Sequence, residues 1–185
     1  TPASYFHLLR EHTYTRPRRP LIVFTPKQLL RLKAACSPVE DFTSGTFQPV
    51  IGETDDAVLA SARKQGVDRV LLCSGRVYYD LLAHRTKTGD TSTAIVRLEQ
   101  LYPLESSAIA EALAPFSGAE LVWVQDEPAN QGMWPYLALN LPTDLTGGVL
   151  PTLVSRPEAA APAVGTAGVH RAQQEEILRQ AFARH

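Results

Sequence analysis

The sequence predicts an α/β fold: an open, mostly parallel, doubly wound sheet that is preceded by the end of a second α/β domain. Strand-length and helix-length segments alternate through the second two thirds of the chain, as in parallel sheets with crossover helices. The strand segments are continuously apolar, which is typical of strands buried on both faces. A stretch rich in Pro, Gly, Ser and Asp between residues 37 and 56 separates this region from the first one.

The first region is predicted to contain a helix and a strand. Thr1 caps a helix in "TPASYFHLLREH", and Pro2 lies in its first turn. The apolar run Leu21–Thr25 is predicted to be a buried parallel strand, and "PKQLLRLKAAC" a short helix or turn. Because the sequence opens directly on a helix, we expect it to be part of a longer polypeptide.

The second region shows the regular alternation on which the fold class rests. Helices are predicted over residues 55–65, 76–85, 106–116, 134–140 and 169–185, and strands over residues 69–75, 93–101, 120–125 and 152–156. This order of elements predicts a sheet with helices on both faces.

The composition excludes several classes of protein. Of the 185 residues, 44% are hydrophobic and 20% are charged, which are values typical of a globular protein with a core. The net charge is -1, so we expect neither nucleic acid nor an anionic membrane as the main partner. No apolar run approaches the roughly 18 residues of a membrane span. Cys36 and Cys73 lack metal-ligand spacing and are predicted to be reduced core residues of a cytosolic or organellar matrix protein.

Ser74 and Gly75 follow the strand in "RVLLCSG". The carboxyl end of a strand in an open α/β sheet is where such folds usually bind ligands. One interpretation is an anion held by free backbone N–H groups at this turn. The other, which the pattern favours, is that Ser74 caps the following helix.

The segment "VWVQDEPANQGMWPY" carries a dense group of polar and aromatic residues. Asp126 and Glu127 are adjacent, and adjacent side chains of an extended segment point in opposite directions, so they are poor partners for acid–base catalysis. Asn130 and Gln131 are suited to bonding a neighbouring backbone, and Trp134 is large enough to anchor a protein contact. We favour a structural or interface loop over a catalytic one. The basic run Arg16, Arg18 and Arg19 is interpreted as a solvated turn, with phosphate binding as the alternative.

Six segments of the chain resemble, in the same order, the C-terminal end of the thiamine-dependent component of 2-oxoglutarate dehydrogenase, in its bacterial form. They are "TPASYFHLLR", "RPLIVFTPKQLLR", "LLCSGRVYYDLL", "AIVRLEQLYPL", "VWVQDEPANQGMWPY" and "VHRAQQEEIL". The resemblance implies a transketolase-like fold. Residues 1–33 would be the C-terminal end of a pyrimidine-binding domain, residues 34–65 a linker with a short helix, and residues 66–185 the C-terminal α/β domain.

The same resemblance implies a function for the parent enzyme, which oxidatively decarboxylates 2-oxoglutarate and succinylates lipoyl groups. Its cofactors are thiamine diphosphate and Mg²⁺, and its location is the bacterial cytoplasm. Its partners are the remainder of the same enzyme, a homodimer partner and the dihydrolipoyl succinyltransferase core. The Gly-Asp-Gly…Asn motif of this family is absent from the sequence. We therefore assign no catalytic, cofactor-binding or metal-binding residue to this chain and expect it to be inactive alone.

The resemblance also gives the segment around Asp126, Glu127, Asn130, Gln131 and Trp134 a role in domain and subunit contacts. Some relatives bind an acyl-CoA or nucleotide effector, and the actinobacterial pocket uses basic residues at positions that correspond to 11 and 19. Arg19 is retained and is our candidate effector contact, whereas Glu11 would repel a CoA phosphate. The alternatives are a stand-alone α/β interaction module and a related enzyme for pyruvate or a longer 2-oxo acid.

Overall fold

A five-stranded sheet forms the centre of residues 49–185. Its strands are β1 (Val50–Ile51), β2 (Arg69–Cys73), β3 (Thr93–Leu98), β4 (Glu120–Pro128) and β5 (Thr152–Arg156). They lie in the order β1-β3-β2-β4-β5, with β2 to β5 parallel and β1 antiparallel to β3. The structure is a computed structural model, and it describes residues 1–15, 18–142 and 145–183.

Helices from the part of the chain that carries the sheet cover its two faces: α3 (Asp56–Lys64), α4 (Val77–Thr88), α5 (Ser106–Leu113), α6 (Trp134–Asn140) and α7 (Ala167–Ala181). Residues 1–48 contain α1 (Pro2–Tyr14) and α2 (Val39–Thr43). Short 3₁₀ turns span Lys27–Arg31, Lys33–Ala35 and Ala114–Phe116. None of these helices is long and apolar enough to cross a bilayer.

Alternate residues of the central strands enter two separate cores. Val70 and Leu72 of β2 pack with Ile109 of α5 and with residues of α3 and α6. Leu71 and Cys73 point to the opposite face, where they pack with residues of α4 and α7. Since both faces of a mostly parallel sheet are covered, the predicted doubly wound α/β architecture is confirmed.

Residues 1–48 form a separate compact unit. The predicted cap of α1 is confirmed, because the Thr1 hydroxyl accepts a hydrogen bond from Ser4 N at 3.1 Å. Buried His7 lies on α1, and its Nε2 is 2.6 Å from the carbonyl oxygen of Asp41. A Cβ on Gly45 would lie 2.7 Å from that oxygen and 2.9 Å from His7 Nε2. The pairing of α1 with α2 therefore depends on a glycine at position 45.

Two predictions for the first region are wrong. Leu21–Thr25 is not a strand, and Ile22 and Phe24 are 76% and 93% exposed. An apolar run becomes a strand only beside a hydrogen-bonding neighbour, and the described residues of this unit contain no other strand. Cys36 is exposed rather than a core residue, whereas Cys73 is buried as predicted. Cys36 lies between a 3₁₀ turn and α2, outside any packed face.

Two strands of the second unit differ from the sequence prediction. The two-residue strand β1 was not predicted, because an element this short has no detectable periodicity; it forms by pairing with Leu98 and Arg97 of β3. Strand β4 continues beyond Gln125 to Pro128, past an irregularity in its pairing with β5 between Val124 and Pro128. Asp126 and Glu127 therefore belong to the strand rather than to the loop that was predicted there.

Candidate functional site

The carboxyl ends of β2 and β4 are neighbours at the middle of the sheet, where Cys73 pairs with Val124. The chain leaves β2 for α4 on one face and leaves β4 for α6 on the other face. In open α/β sheets, ligands bind in the crevice where two such connections diverge. This edge of the sheet is therefore the candidate functional site.

The turn after β2 differs from its prediction. Helix α4 begins after Arg76, which is its N-cap without a side-chain hydrogen bond, and Gly75 has a left-handed φ of +70°. The predicted capping role of Ser74 is thus wrong, because the turn at Gly75 places Ser74 two residues before the cap. Anion binding at this turn stays a prediction.

Five side chains from β2–α4, β4, β5 and α7 form a closed set of polar contacts at this edge, which we call the polar ring. Its members are Arg76, Asp80, Asp126, Arg156 and Gln174. The Arg76 guanidinium bridges two carboxylates, Asp80 and Asp126, with N–O distances of 2.6 Å to each. The ring joins the turn after β2 to the end of β4.

Arg156 closes the ring on the other side. It is 5% exposed, and its Nε donates to the backbone oxygen of Asp126 at 2.7 Å. Its Nη2 donates to Gln174 Oε1 at 2.8 Å, and Gln174 Nε2 donates to Asp80 Oδ2 at 3.0 Å. Burial raises the pKa of Asp80 above its ordinary value, while the Arg76 charge opposes this shift. No sequence signal predicts the ring, since its members are up to about 100 residues apart.

A second buried arginine lies at the carboxyl end of β3. Arg97 is 8% exposed, its guanidinium carbon lies 4.1 Å from the ring centroid of Tyr78, and Nη1 is 3.8 Å from Glu99. Burial raises the pKa of Tyr79, and the neighbouring Arg97 opposes that shift. This group fixes the first turn of α4 on the sheet.

Gln125 is the residue of this edge that sequence reasoning passed over. It is 3% exposed, and its amide oxygen accepts from Trp123 Nε1 at 2.9 Å and from Trp134 N at 3.1 Å. Its amide nitrogen donates to Pro128 O at 3.0 Å and to Gln131 O at 2.8 Å. A glutamine at the end of an otherwise apolar strand was the available signal, because a buried amide must have partners.

The contact loop, which we define as residues 129–133, folds around this amide. Gly132 has φ +68°, and a Cβ there would lie 3.0–3.1 Å from Glu127 Cβ and from the Gln125 amide atoms. Asn130 bonds both backbone groups of Ala159: Nδ2 donates to its oxygen at 3.1 Å, and Oδ1 accepts from its nitrogen at 3.1 Å. Gln131 Nε2 donates to the same oxygen at 2.8 Å. The contact loop is thus held to the segment that follows β5.

The predicted interface residues are therefore gathered at one edge, but they differ in exposure. Glu127 is exposed, whereas Asp126 is half-buried in the polar ring. Asn130 is exposed and Gln131 half-buried. Trp134 begins α6 and packs, half-buried, against the core beneath the sheet. An outer surface made of Glu127 and Asn130 remains available for contact.

Arg19, the predicted effector contact, lies in the first unit. Its side chain is exposed, and its backbone oxygen is 2.6 Å from His12 Nε2, so the basic turn is tied back to α1. Arg18 and Glu11 are exposed as well. Arg16 lies outside the described residues.

Hydrogen bonds and ion pairs hold the side chains of this site in place. Cys73 is buried at the centre of this edge, and burial raises the pKa of its thiol far above the ordinary range, so it is no thiolate nucleophile. Within residues 1–15, 18–142 and 145–183 no group of three or more His, Cys, Asp or Glu residues could hold a metal ion. A surface depression of about 590 Å³ lies at the opposite edge of the sheet, beside His84 and Phe182, and is remote from this site.

A model of the family described as 2-oxoglutarate dehydrogenase C-terminal matches residues 36–182. The chain belongs to this family. The match covers the whole sheet, its helices and the contact loop, and it confirms the resemblance on which the transketolase-like C-terminal fold was predicted.

Several bacterial relatives of the family match almost the whole chain. A "Multifunctional 2-oxoglutarate metabolism enzyme" of Mycobacterium sp. (strain JLS) is 46% identical over 99% of this chain. A "2-oxoglutarate dehydrogenase E1/E2 component" of Corynebacterium glutamicum is 44% identical over 98% of it. A "2-oxoglutarate dehydrogenase E1 component" of Cupriavidus necator is 43% identical over 100% of it. The chain spans between 15% and 19% of the length of these relatives.

Proposed function

We propose that this chain is the C-terminal scaffold of a thiamine-dependent 2-oxoglutarate decarboxylating component, where it serves subunit contact and supports the active site. The observation that carries the proposal is the family match over residues 36–182, together with a contact loop that is fixed by hydrogen bonds on all sides. The parent enzyme would oxidatively decarboxylate 2-oxoglutarate and transfer the succinyl group to lipoyl groups of the dihydrolipoyl succinyltransferase core.

We propose that the residues of this chain hold neither cofactor of that reaction. Among the described residues, no group of three or more His, Cys, Asp or Glu residues could hold a metal ion. The sequence also lacks the Gly-Asp-Gly motif. We therefore assign thiamine diphosphate and Mg²⁺ to other parts of the parent enzyme, in the bacterial cytoplasm, and derive no catalytic step from this chain.

The proposed domain organisation follows from the same assignment. Residues 1–33 would complete a pyrimidine-binding domain, 34–65 would be the linker, and 66–185 the C-terminal domain. The exposed apolar run at Ile22 and Phe24 supports this, because a strand of a neighbouring sheet would supply the hydrogen bonds and the cover that it lacks.

An effector role for the first unit is proposed from its exposed arginines. Arg19 and Arg18 present exposed guanidinium groups on a turn that His12 stabilises, and guanidinium groups bind phosphate well. An Arg19→Ala variant of the complete protein should lose affinity for acetyl-CoA or AMP. Unchanged affinity for both would remove Arg19 from the proposal.

The subunit-contact role can be tested with two exposed glutamates. Glu127 lies in the candidate contact surface, and Glu111 lies on α5 and is equally exposed. In the complete protein, Glu127→Arg should weaken dimerisation in sedimentation velocity, and Glu111→Arg should not. Equal dimer affinity in both variants would contradict the proposed contact surface.

The catalytic part of the proposal needs a separate measurement. The complete protein, supplied with thiamine diphosphate and Mg²⁺, should decarboxylate 2-oxoglutarate, and the 185-residue chain alone should not. A complete protein that folds and dimerises but turns over no 2-oxo acid would instead favour a stand-alone interaction module. A preference for pyruvate would assign it to the related branch.

A further inference from the structure

We infer that Gln125 is the positioning residue of the contact loop: its amide sets the conformation in which the loop presents its outer surface. The inference rests on the proposed function for the role of that surface. Its physical basis is independent, because it comes from the hydrogen bonds of one buried side chain.

Both the oxygen and the nitrogen of the Gln125 amide form hydrogen bonds. A primary amide offers two donor hydrogens and an oxygen with two lone pairs. Here the oxygen accepts from Trp123 Nε1 at 2.9 Å and from Trp134 N at 3.1 Å. The nitrogen donates to Pro128 O at 3.0 Å and to Gln131 O at 2.8 Å, and it makes a longer contact with Glu127 O at 3.4 Å. These partners lie before, within and after the turn, so a single side chain fixes both its start and its end.

The amide of Gln125 is buried and packs closely against Gly132. Gly132 adopts a left-handed φ of +68°, and an added Cβ would lie 3.1 Å from both terminal atoms of Gln125. Gln125 is buried, with 3% of its residue surface exposed. Because the amide is shielded from solvent, water should not replace any of its hydrogen bonds that is lost.

The contact loop is also hydrogen-bonded to a second segment, around Ala159. Asn130 forms two hydrogen bonds with the backbone of Ala159, and Gln131 adds a third. Loss of the Gln125 bonds should therefore release both the contact loop and the chain around Ala159. The polar ring has its own ion pairs, at Arg76–Asp126 among others, and should remain.

The test is Gln125→Glu in the complete protein, followed by hydrogen exchange and mass spectrometry. The carboxylate keeps an acceptor for Trp123 and Trp134 but faces the carbonyl oxygens of Pro128 and Gln131, so it repels them. We expect exchange at least tenfold faster in peptides that cover residues 126–136 and 157–161. Peptides from β2 and β3 should exchange as in the wild type. Gln100→Glu is the matched control, since Gln100 bonds only one described backbone oxygen, Pro103 O at 2.9 Å, and is less buried.

A second variant, Gln125→Met, separates positioning from general stability. Methionine fills a similar volume without a charge, so the core should remain while every hydrogen bond of the amide is lost. The same two segments should therefore exchange faster. If either segment is unchanged in both variants, or if exchange rises evenly through residues 49–183 in both, the inference is overturned.

The same samples distinguish the inference from the proposed function. Faster exchange in the contact loop together with weaker dimerisation in sedimentation velocity supports both. Faster exchange with unchanged dimerisation supports Gln125 as the positioning residue and contradicts the subunit-contact role of the loop.

Discussion

Glu53 and Arg85 form a buried ion pair whose side chains are 2% and 3% exposed. The Glu53 carboxylate binds two nitrogens of the guanidinium and also accepts the backbone N–H of Ile95 at 2.8 Å. Arg85 in turn donates to Thr93 O at 3.2 Å. Glu53 thus binds a backbone N–H of β3 beyond the end of the two-residue strand β1. The ion pair links the end of α4 to β3.

Removal of one member of this pair should be strongly destabilising. In Arg85→Met the Glu53 carboxylate would remain buried without its counter-charge, which typically costs about 3–5 kcal/mol. The measurement is urea unfolding of the 185-residue chain, followed by fluorescence. It reports on the second unit, because both tryptophans of the chain, Trp123 and Trp134, lie there. Arg179→Met is the control and should leave the free energy of unfolding nearly unchanged, since its pair with Glu176 is exposed and screened by solvent.

Gly132→Ala should destabilise the contact loop by more than the backbone cost alone. A left-handed φ costs a non-glycine residue about 1 kcal/mol or more, and the new Cβ would also press on Glu127 and Gln125 at 3.0–3.1 Å. Gly118→Ala is the control, because Gly118 has φ +85° and no atom within 4 Å of the added Cβ. Equal loss of unfolding free energy in the two variants would show that the crowding at Gly132 has no energetic effect.

Asp80 of the polar ring should make the free energy of unfolding depend on pH. Burial raises the pKa of Asp80 in the folded state, so the native protein holds this proton more tightly than the unfolded chain does. The stability that Asp80 contributes is therefore present at low pH and is lost as the pH rises from about 3.9, the ordinary aspartate pKa, through the folded-state value.

The prediction is measured as the difference in unfolding free energy between the wild type and Asp80→Asn. This difference should fall as the pH rises through that window and level off above it. A difference that rises with pH would mean that the ion pair of Asp80 with Arg76, at 2.6 Å, outweighs the burial of the carboxylate.

Gly45→Ala should loosen the pairing of α1 with α2. The added Cβ would lie 2.7 Å from Asp41 O and 2.9 Å from His7 Nε2, and overpacking of this kind typically costs about 1–3 kcal/mol. Hydrogen exchange over residues 2–14 and 39–45 should therefore accelerate. Gly165→Ala, which places its Cβ in open space, should leave exchange in both segments unchanged, and equal behaviour of the two variants would contradict the steric argument.

Most helices and strands of residues 49–185 were predictable from the sequence, because the pattern of apolar residues within each segment determines its type. Residues 134–140 and 152–156 were predicted with the bounds that α6 and β5 have. The two sheet faces followed from continuously apolar strands, since such strands are stable only between two layers. The bonds of Asn130 and Gln131 to a neighbouring backbone were predictable, because both residues are amides in a turn that follows a strand.

Only the tertiary structure decided which of these groups meet. Gln125 depends on partners that converge from both sides of a turn, and the polar ring joins residues as distant as Arg76 and Gln174. The run at Leu21–Thr25 has a strand-like sequence, but the described residues of its own unit offer no strand beside it. Local sequence fixes what a segment can form with itself, whereas a strand, a buried amide and a buried charge are each completed by groups that the chain brings from elsewhere.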